Sequence, residues 1–232
     1  MPISEPDFVR DTRASYDRLA ADYAARFQDE LAAKPVERAL LAAFAETVRA
    51  TGGGRPVADV GCGTGRVTAY LHGLGADVFG VDLSPGMLAE ARGRHPGLRF
   101  AEGSMLALDL ADGSLGGLLA WYSTIHVTDD LLPDVFAEFR RVLAPGAHAL
   151  LGFQIGAEPA RYEEAWGHRV RLDFHRRTPE RVEGLLTAAG LEIRARTVRQ
   201  PDTEGEFPES TAQAVVLARR PLDPGGRAAT GR

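Results

Sequence analysis

The chain alternates short apolar runs with segments that carry apolar residues at helical spacing. The runs cover residues 57–60, 76–81, 98–101, 115–121 and 147–153, and each is short enough for a strand. Strands separated by helices predict a parallel sheet with helices on both faces. The pattern therefore places this protein in the α/β class.

The two ends of the chain depart from this alternation. Apolar runs at 191–198 and 212–218 are joined by a polar, acidic loop with no helical pattern, so we expect these strands to pair antiparallel. Residues 8–33 and 35–50 have helical spacing and predict helices added before the sheet. Residues 154–177 follow no simple period between a strand and a helix, where a substrate-covering insertion is expected.

These patterns predict the domain organisation. We expect an N-terminal helical cap over residues 1–51 and a core domain over residues 52–220, with the insertion 154–177 inside it. Residues 221–232 contain proline and glycine without periodicity, and they predict a flexible tail.

Composition and charge narrow the possible partners and the location. The 232 residues carry a net charge of −5, which gives no attraction to phosphate backbones, so we expect no nucleic acid partner. No apolar run approaches the roughly 20 residues of a membrane span, so no membrane partner is expected. Cys62 is the only cysteine, which excludes an intrachain disulfide. An acidic start without an apolar stretch is unlike a signal peptide, so a cytoplasmic location is expected.

The candidate chemistry lies between the first two predicted strands. Residues 59–65 read Asp-Val-Gly-Cys-Gly-Thr-Gly directly after the first strand, and Asp82 ends the second. Glycines let the backbone approach a ligand closely, and an acid at the next strand end can bind two sugar hydroxyls. A nicotinamide or flavin site would prefer Gly-x-Gly-x-x-Gly, whereas position 66 is Arg. The unit predicts a site for a ribose-bearing cofactor.

Four motifs together resemble class I S-adenosylmethionine-dependent methyltransferases of the small-molecule type. Residues 59–65 are similar to the family's first motif and residues 81–87 to its second-strand motif. Residues 102–105 stand where the family contacts adenine, and residues 121–126 stand at the end of strand four. The resemblance implies a seven-stranded, mostly parallel sheet of order 3-2-1-4-5-7-6, with strand seven antiparallel.

The resemblance also implies roles for the site residues. Asp59 would meet the cofactor's ammonium, Asp82 its ribose, and Leu83 and Met87 its adenine. A Tyr-Asp-x-x-Ala-x-x-Tyr helix would close over the cofactor, with Tyr23 near the methionine carboxylate. The expected cofactor-binding residues are Tyr16, Tyr23, Asp59, Gly61, Cys62, Gly63, Gly65, Arg66, Asp82, Leu83, Met87, Gly103, Ser104, Met105, Trp121, Tyr122 and Ser123.

Several of these residues could instead have a purely structural role. Asp59 could order the glycine turn and Asp82 could cap the next helix. Leu83 and Met87 could be plain core residues, as could the two aromatic residues at the end of strand four. The tyrosine pair could belong to an amphipathic helix that packs without touching a ligand.

The implied reaction is methyl transfer from S-adenosylmethionine to the oxygen, nitrogen or carbon of a small molecule. His126 is the first candidate for a general base, since strand-four ends face the methyl group; it could also cap the following turn. His168 and His175 are weaker candidates, and no spacing typical of metal ligands occurs. The sequence leaves the acceptor and the oligomeric state open.

Two rival functions remain from the sequence. A protein that binds S-adenosylmethionine or a nucleotide without catalysis would need the same cofactor motifs. An NAD(P)-dependent oxidoreductase is disfavoured by the glycine spacing and by the lack of a Tyr-x-x-x-Lys pair, because Lys34 is the only lysine.

Overall fold

A computed structural model describes residues 6–223, and a seven-stranded sheet lies at its centre. The sheet order is β3-β2-β1-β4-β5-β9-β8, and β6 and β7 form a separate hairpin. The strands are β1 (Val57–Val60), β2 (Val78–Asp82), β3 (Arg99–Glu102), β4 (Leu115–Trp121), β5 (Leu143–Gln154), β6 (Ala160–Ala165), β7 (His168–Phe174), β8 (Glu192–Arg199) and β9 (Gln213–Arg219).

The sheet topology confirms the predicted class. Strands β1 to β5 pair parallel, whereas β9 pairs antiparallel with both β5 and β8. With the hairpin set aside, β8 and β9 are the sixth and seventh strands of the sheet. Their positions reproduce the expected order 3-2-1-4-5-7-6.

Seven α-helices within residues 6–223 flank the sheet or precede it. Ser84 and Thr178 accept hydrogen bonds from the backbone three residues onward and so start two of the helices as N-caps. The helices are α1 (Asp7–Phe27), α2 (Glu30–Ala33), α3 (Pro35–Thr51), α4 (Arg66–Gly73), α5 (Pro85–Arg94), α6 (Leu132–Val142) and α7 (Pro179–Ala188). The first predicted helix is thus broken at residues 28–29.

Two cores form on the opposite faces of the sheet. Alternate side chains of β4 point to opposite faces, so Leu118 joins one core and Leu119 the other. The first core packs against α6 and α7 through Phe136 and Leu186, and the second packs against α3 through Leu41. Because β4 is buried along its whole length, its carboxyl end is held rigidly where the site forms.

The insertion 154–177 contains the β6–β7 hairpin, which the sequence did not reveal. Trp166 and Gly167 turn the hairpin with positive φ angles of 50° and 82°. Every residue of β6 is exposed or half-buried, so the strand shows no alternation of apolar and polar positions. The hairpin packs against α1, where Ser15 accepts a 2.9 Å hydrogen bond from the backbone of Arg171.

Strand β5 contains a local irregularity, and the predicted tail can be compared with the structure only in part. Residues 145–146 lie inside β5, where Gly146 has a φ of 83° and the pairing with β4 shifts register. Of the expected tail at 221–232, residues 224–232 lie outside the described part of the chain. No helix between residues 6 and 223 has the length and hydropathy needed to cross a bilayer.

Candidate active site

A cavity opens at the carboxyl ends of β1, β2 and β4. Parallel strands of an open α/β sheet place ligands at this edge. The cavity lining brings together the predicted residues Tyr16, Tyr23, Asp59, Gly61, Cys62, Gly63, Arg66, Leu83, Met87, Gly103, Ser104, Met105, Trp121, Tyr122, Ser123 and His126. Of the predicted set, Gly65 and Asp82 do not line the cavity.

Gly61 is held against the end of β4. Its φ is 76°, and a Cβ built there would lie 2.2 Å from the Cβ of Ser123. The hydroxyl of Ser123 donates a 2.6 Å hydrogen bond to the carbonyl of Val60. The ends of β1 and β4 therefore meet more closely than any side chain at position 61 would permit.

Asp82 and Gly65 support the glycine turn from outside the cavity. The carboxylate of Asp82 accepts hydrogen bonds from the backbone N–H of Gly63 at 2.7 Å and of Ser84 at 2.9 Å. Burial raises the pKa of Asp82, and these hydrogen bonds oppose the rise. Gly65 precedes α4 in the left-handed conformation, and a Cβ there would lie 2.7 Å from the ring of Phe100.

Asp59 is a buried acid at the base of the cavity. Its side chain accepts a 2.6 Å hydrogen bond from the hydroxyl of Thr68. Burial raises the pKa of Asp59 to about 7, with the charge of Asp82 adding to the rise and the Thr68 hydrogen bond opposing it. A cation placed beside this carboxylate would favour its ionised form.

Arg66 is the one lysine or arginine among the described residues that line the cavity. Its Nη2 lies 2.5 Å from Glu30, whereas Nη1 is buried and has no hydrogen-bond partner among the described residues. Burial lowers the pKa of the guanidinium, but Tyr23 and Glu30 more than offset this and raise it overall. A buried N–H without a partner is costly, so this atom marks a place for an anionic ligand group.

Tyr16 and His126 form a hydrogen-bonded pair across the cavity. The Tyr16 hydroxyl lies 2.8 Å from Nε2 of His126, and Nδ1 of His126 lies 3.0 Å from the carbonyl of Asp173. A carbonyl can only accept, so Nδ1 carries the proton and Nε2 accepts from Tyr16. Burial lowers the pKa of His126 to about 4, with His175 adding to the effect and Asp173 opposing it.

Asp17 fixes the helix that carries both tyrosines, a role that sequence reasoning missed. One carboxylate oxygen of Asp17 accepts from the Ser84 hydroxyl at 2.6 Å and from the Gly86 N–H at 2.8 Å. Both donors lie at the start of α5, where an acid is favoured. The Tyr-Asp pattern therefore combines a cavity residue with the acid that docks its helix.

The two aromatic residues at the end of β4 lie side by side, with ring centroids 5.4 Å apart. Trp121 is buried and belongs both to the cavity lining and to the core beneath it. Tyr122 has a φ of 53°, and its hydroxyl donates a 3.0 Å hydrogen bond to Glu37. Each residue therefore combines its predicted place at the cavity with a structural role.

The remaining candidates lie away from the cavity or lack the chemistry for catalysis. His168 lies 2.8 Å from Asp22 of α1, and the backbone N–H of His175 donates to Ile125. Neither histidine lines the cavity. Burial raises the pKa of the Cys62 thiol, which disfavours a nucleophile. Within residues 6–223, no three His, Cys, Asp or Glu side chains are grouped to bind a metal.

Comparison with known proteins finds a methyltransferase domain model that matches part of the chain. Residues 57–146 match the model of a methyltransferase domain. These residues hold the glycine turn, Asp82 and the end of β4, so the match falls on the elements that form the cavity. This part of the chain is similar to a methyltransferase domain.

Two relatives illustrate the extent of the similarity. The malonyl-[acyl-carrier protein] O-methyltransferase of Pectobacterium atrosepticum is 35% identical over 54% of this chain and 47% of its own length. The demethylmenaquinone methyltransferase of Chlorobaculum parvum is 33% identical over 69% of this chain and 63% of its own length. The chain thus spans about half to two thirds of the length of these relatives.

A solved structure extends the comparison to most of the fold. The 1,6-didemethyltoxoflavin-N1-methyltransferase of Burkholderia thailandensis, determined with S-adenosylhomocysteine, has a TM-score of 0.68 at 22% identity. The match covers 95% of this chain and 92% of the other. The N-terminal helices and the terminal antiparallel strands therefore belong to a shared methyltransferase fold.

One end of the cavity could not be predicted from the sequence. Its side chains are apolar except for Thr12, and they come from the start of α1 and from segments that follow β3 and β4: Phe8, Val9, Thr12, Leu106 and Val127. No short motif joins these positions, because docking of α1 brings them together. Only Phe8, Val9 and Thr12 lie in the first predicted helix, and no pattern in the sequence connects them with Leu106 and Val127.

Proposed function

We propose that this protein transfers the methyl group of S-adenosylmethionine to a small-molecule acceptor. The buried Nη1 of Arg66 carries the proposal, because it is an unpartnered cationic N–H in a residue that lines the cavity beside the glycine turn. An amino-acid carboxylate would satisfy it. Asp59, at the base of the same cavity, supplies the complementary acid for an ammonium group.

The residues present fit the rest of this donor. Leu83 and Met87 offer apolar surface for an adenine ring, and Ser104 offers a hydroxyl at its edge. Asp82 is next in sequence to Leu83 of the cavity lining. Its carboxylate, which accepts a hydrogen bond from the Gly63 N–H, would also accept hydrogen bonds from the ribose hydroxyls. When bound, the sulfonium supplies an activated methyl group, so the chain needs chiefly to align donor and acceptor.

The acceptor would occupy the end of the cavity lined by Phe8, Val9 and Leu106. His126 is the proposed base there, and α1 and the β6–β7 hairpin are the elements that would cover the bound molecules. This assigns a cap role to residues 1–51 and a covering role to the insertion 154–177. A small molecule is the proposed partner, with no nucleic acid, no membrane and a cytoplasmic location as accompanying predictions.

The function is tested by supplying radiolabelled S-adenosylmethionine with a panel of phenols, amines, thiols and carboxylic acids. We expect label in at least one acceptor and S-adenosylhomocysteine as the second product. Arg66→Met should abolish transfer, whereas Arg196→Met, in an exposed ion pair on β8, should leave it unchanged. Tight binding of S-adenosylhomocysteine without transfer to any acceptor would instead indicate a non-catalytic binding protein.

A further inference from the structure

The pairing of Tyr16 with His126 carries an inference that rests on the proposed methyl transfer. We propose that Tyr16 is the residue that contacts the acceptor and that it relays the acceptor's proton to His126, with a phenol-type hydroxyl on an apolar ring as the acceptor. The juxtaposition behind the proposal is the 2.8 Å hydrogen bond between the Tyr16 hydroxyl and Nε2 of His126 at the apolar end of the cavity.

The hydrogen-bond roles of the pair leave one atom free to receive a proton. Nδ1 of His126 donates to the Asp173 carbonyl, so the only free lone pair of the imidazole ring is on Nε2. That lone pair accepts the hydrogen bond from the Tyr16 hydroxyl. The Tyr16 oxygen has acceptor capacity left. An acceptor hydroxyl in the cavity therefore meets the oxygen of Tyr16 before it meets the nitrogen of His126.

The position of Tyr16 is fixed by packing from several elements. Asp17 ties α1 to the start of α5, and the Tyr23 ring lies edge-on at 6.2 Å between centroids. On the other side, the ring of Phe174 lies 4.7 Å from that of His126. The pair thus joins α1, the segment after β4 and the hairpin in one geometry suited to proton transfer.

The titratable groups around the pair explain why it is uncharged at rest. Burial raises the pKa of Tyr16, with Tyr23 and Asp82 adding to the rise. Burial lowers the pKa of His126, with His175 adding to the effect and the backbone carbonyl and carboxylate of Asp173 opposing it. A neutral phenol beside a weakly basic imidazole suits an acceptor that is itself acidic, and it would not ionise an aliphatic alcohol.

The lining of the cavity supports the acceptor class. The carboxylic acid and the guanidinium of the lining, Asp59 and Arg66, lie at the glycine turn, where the amino-acid end of the donor is proposed. The other end presents Phe8, Val9 and Leu106, which suit an apolar ring and offer no cation to a carboxylate. A ring hydroxyl is therefore the acceptor that this end recognises best.

The proposed step balances in atoms and electrons. The acceptor oxygen forms a bond to the methyl carbon while the carbon–sulfur bond of the donor breaks and its electron pair stays on sulfur. The acceptor's proton passes to the Tyr16 oxygen as the Tyr16 proton passes to Nε2. The imidazolium keeps its hydrogen bond to the Asp173 carbonyl and then releases one proton to solvent, which leaves methyl ether and thioether as products.

The relay is tested with phenols of graded acidity, from 4-methoxyphenol to 4-nitrophenol. Tyr16→Phe and His126→Gln should each lower kcat about 100-fold or more on the least acidic phenols. Both should approach wild-type kcat on phenols that are ionised at the assay pH, because no proton then needs a relay. Tyr70→Phe removes a hydroxyl that bonds to the Arg38 carbonyl away from the cavity, and it should match wild type throughout.

The outcomes separate the inference from the function beneath it. An equal loss on every phenol would make Tyr16 a positioning residue and overturn the relay. Methylation of amines, thiols or carboxylic acids but of no phenol would overturn the acceptor class and leave methyl transfer standing. Failure to bind S-adenosylhomocysteine would remove both proposals.

A second readout does not depend on turnover. Nitrogen-15 NMR of the histidine rings should show His126 neutral at pH 7, with its proton on Nδ1. In Tyr16→Phe, the Nε2 resonance should shift as its hydrogen bond is lost, while the proton stays on Nδ1. A proton on Nε2 in the wild-type protein would overturn the relay, because Nε2 could then accept nothing from Tyr16.

Discussion

The hydroxyl of Thr68 donates a 2.6 Å hydrogen bond to Asp59, and the acid that it holds lies at the base of the cavity. Burial raises the pKa of this acid to about 7, so near neutrality the free protein is a mixture of protonated and ionised forms. The proposed ammonium contact selects the ionised form. Binding and proton release are therefore linked at this residue.

The first prediction follows from that linkage. The affinity for S-adenosylhomocysteine should fall as the pH drops below about 7, by up to about tenfold per pH unit, because Asp59 must lose its proton to bind the ammonium. Titration calorimetry in buffers of different ionisation enthalpy should show proton release at pH 7. Asp59→Asn should bind more weakly and without this pH dependence. An unchanged slope in that variant would place the titrating group elsewhere.

The second prediction concerns the close approach of Gly61 to Ser123. Gly61→Ala should lower the free energy of unfolding by about 3–5 kcal/mol, because the added Cβ overlaps Ser123 and the backbone is left-handed. Gly63→Ala is the matched control: its φ is 54°, but nothing lies within 4 Å of the new Cβ. It should cost only about 1–2 kcal/mol. Equal losses in urea denaturation would contradict the steric account.

The third prediction concerns the docking of α1. Asp17→Ala removes the acceptor of two hydrogen bonds at the start of α5 and should destabilise α1 by about 1–3 kcal/mol. Amide hydrogen exchange should then accelerate in residues 7–27 more than in the sheet. Asp22→Ala is the control, because its partner His168 is a partly exposed residue of the hairpin. Similar exchange in both variants would show that Asp17 does not hold the helix.

The fourth prediction concerns a buried ionic network behind Tyr122. Glu209 lies 2.5 Å from Arg199 and 3.1 Å from Lys34, and Arg199 also lies 2.6 Å from Glu37. Burial alone would raise the pKa of Glu209, but hydrogen bonds from Arg199, from the Asp202 backbone and from Lys34 lower it from 4.5 to about 2. The ionised form thus contributes stability above the ordinary pKa and loses it as the pH falls towards the folded pKa.

Glu209→Gln tests this network. At pH 7 the free energy of unfolding of the variant should be about 1–3 kcal/mol lower than that of wild type. The difference should hold above about pH 5 and shrink to nothing between about pH 4.5 and pH 2. Glu206→Gln, at an exposed position of the same loop, should match wild type at every pH. A wild-type advantage that persists at pH 2 would contradict the assigned titration.

Local patterns predicted much of the fold and of the cofactor end of the site. The alternation of apolar runs and helical segments sufficed to predict the parallel sheet. The glycine turn and Asp82 could be predicted because their spacing is set by one strand–turn–helix unit. The structure adds that Gly65 and Asp82 act from outside the cavity lining.

Features that depend on contacts between residues far apart in the chain could not be predicted from the sequence. The hairpin 160–174 escaped because its first strand is exposed on both faces. The pairing of Tyr16 with His126 joins residues 110 positions apart, and that of Lys34 with Asp202 joins residues 168 apart. Phe8 and Leu106 line the same cavity only because α1 docks on α5 and on the hairpin, which no local pattern encodes.

The most direct test of the central claim is titration of the wild-type protein and of Arg66→Met with S-adenosylhomocysteine and with 5′-methylthioadenosine, which lacks the amino-acid group. Wild type should bind S-adenosylhomocysteine about 10–100-fold more tightly than the variant, since a charge-assisted hydrogen bond contributes about 1.5–3 kcal/mol. Both proteins should bind 5′-methylthioadenosine equally. No binding of S-adenosylhomocysteine by wild type, or an equal loss for both ligands in the variant, would contradict the account.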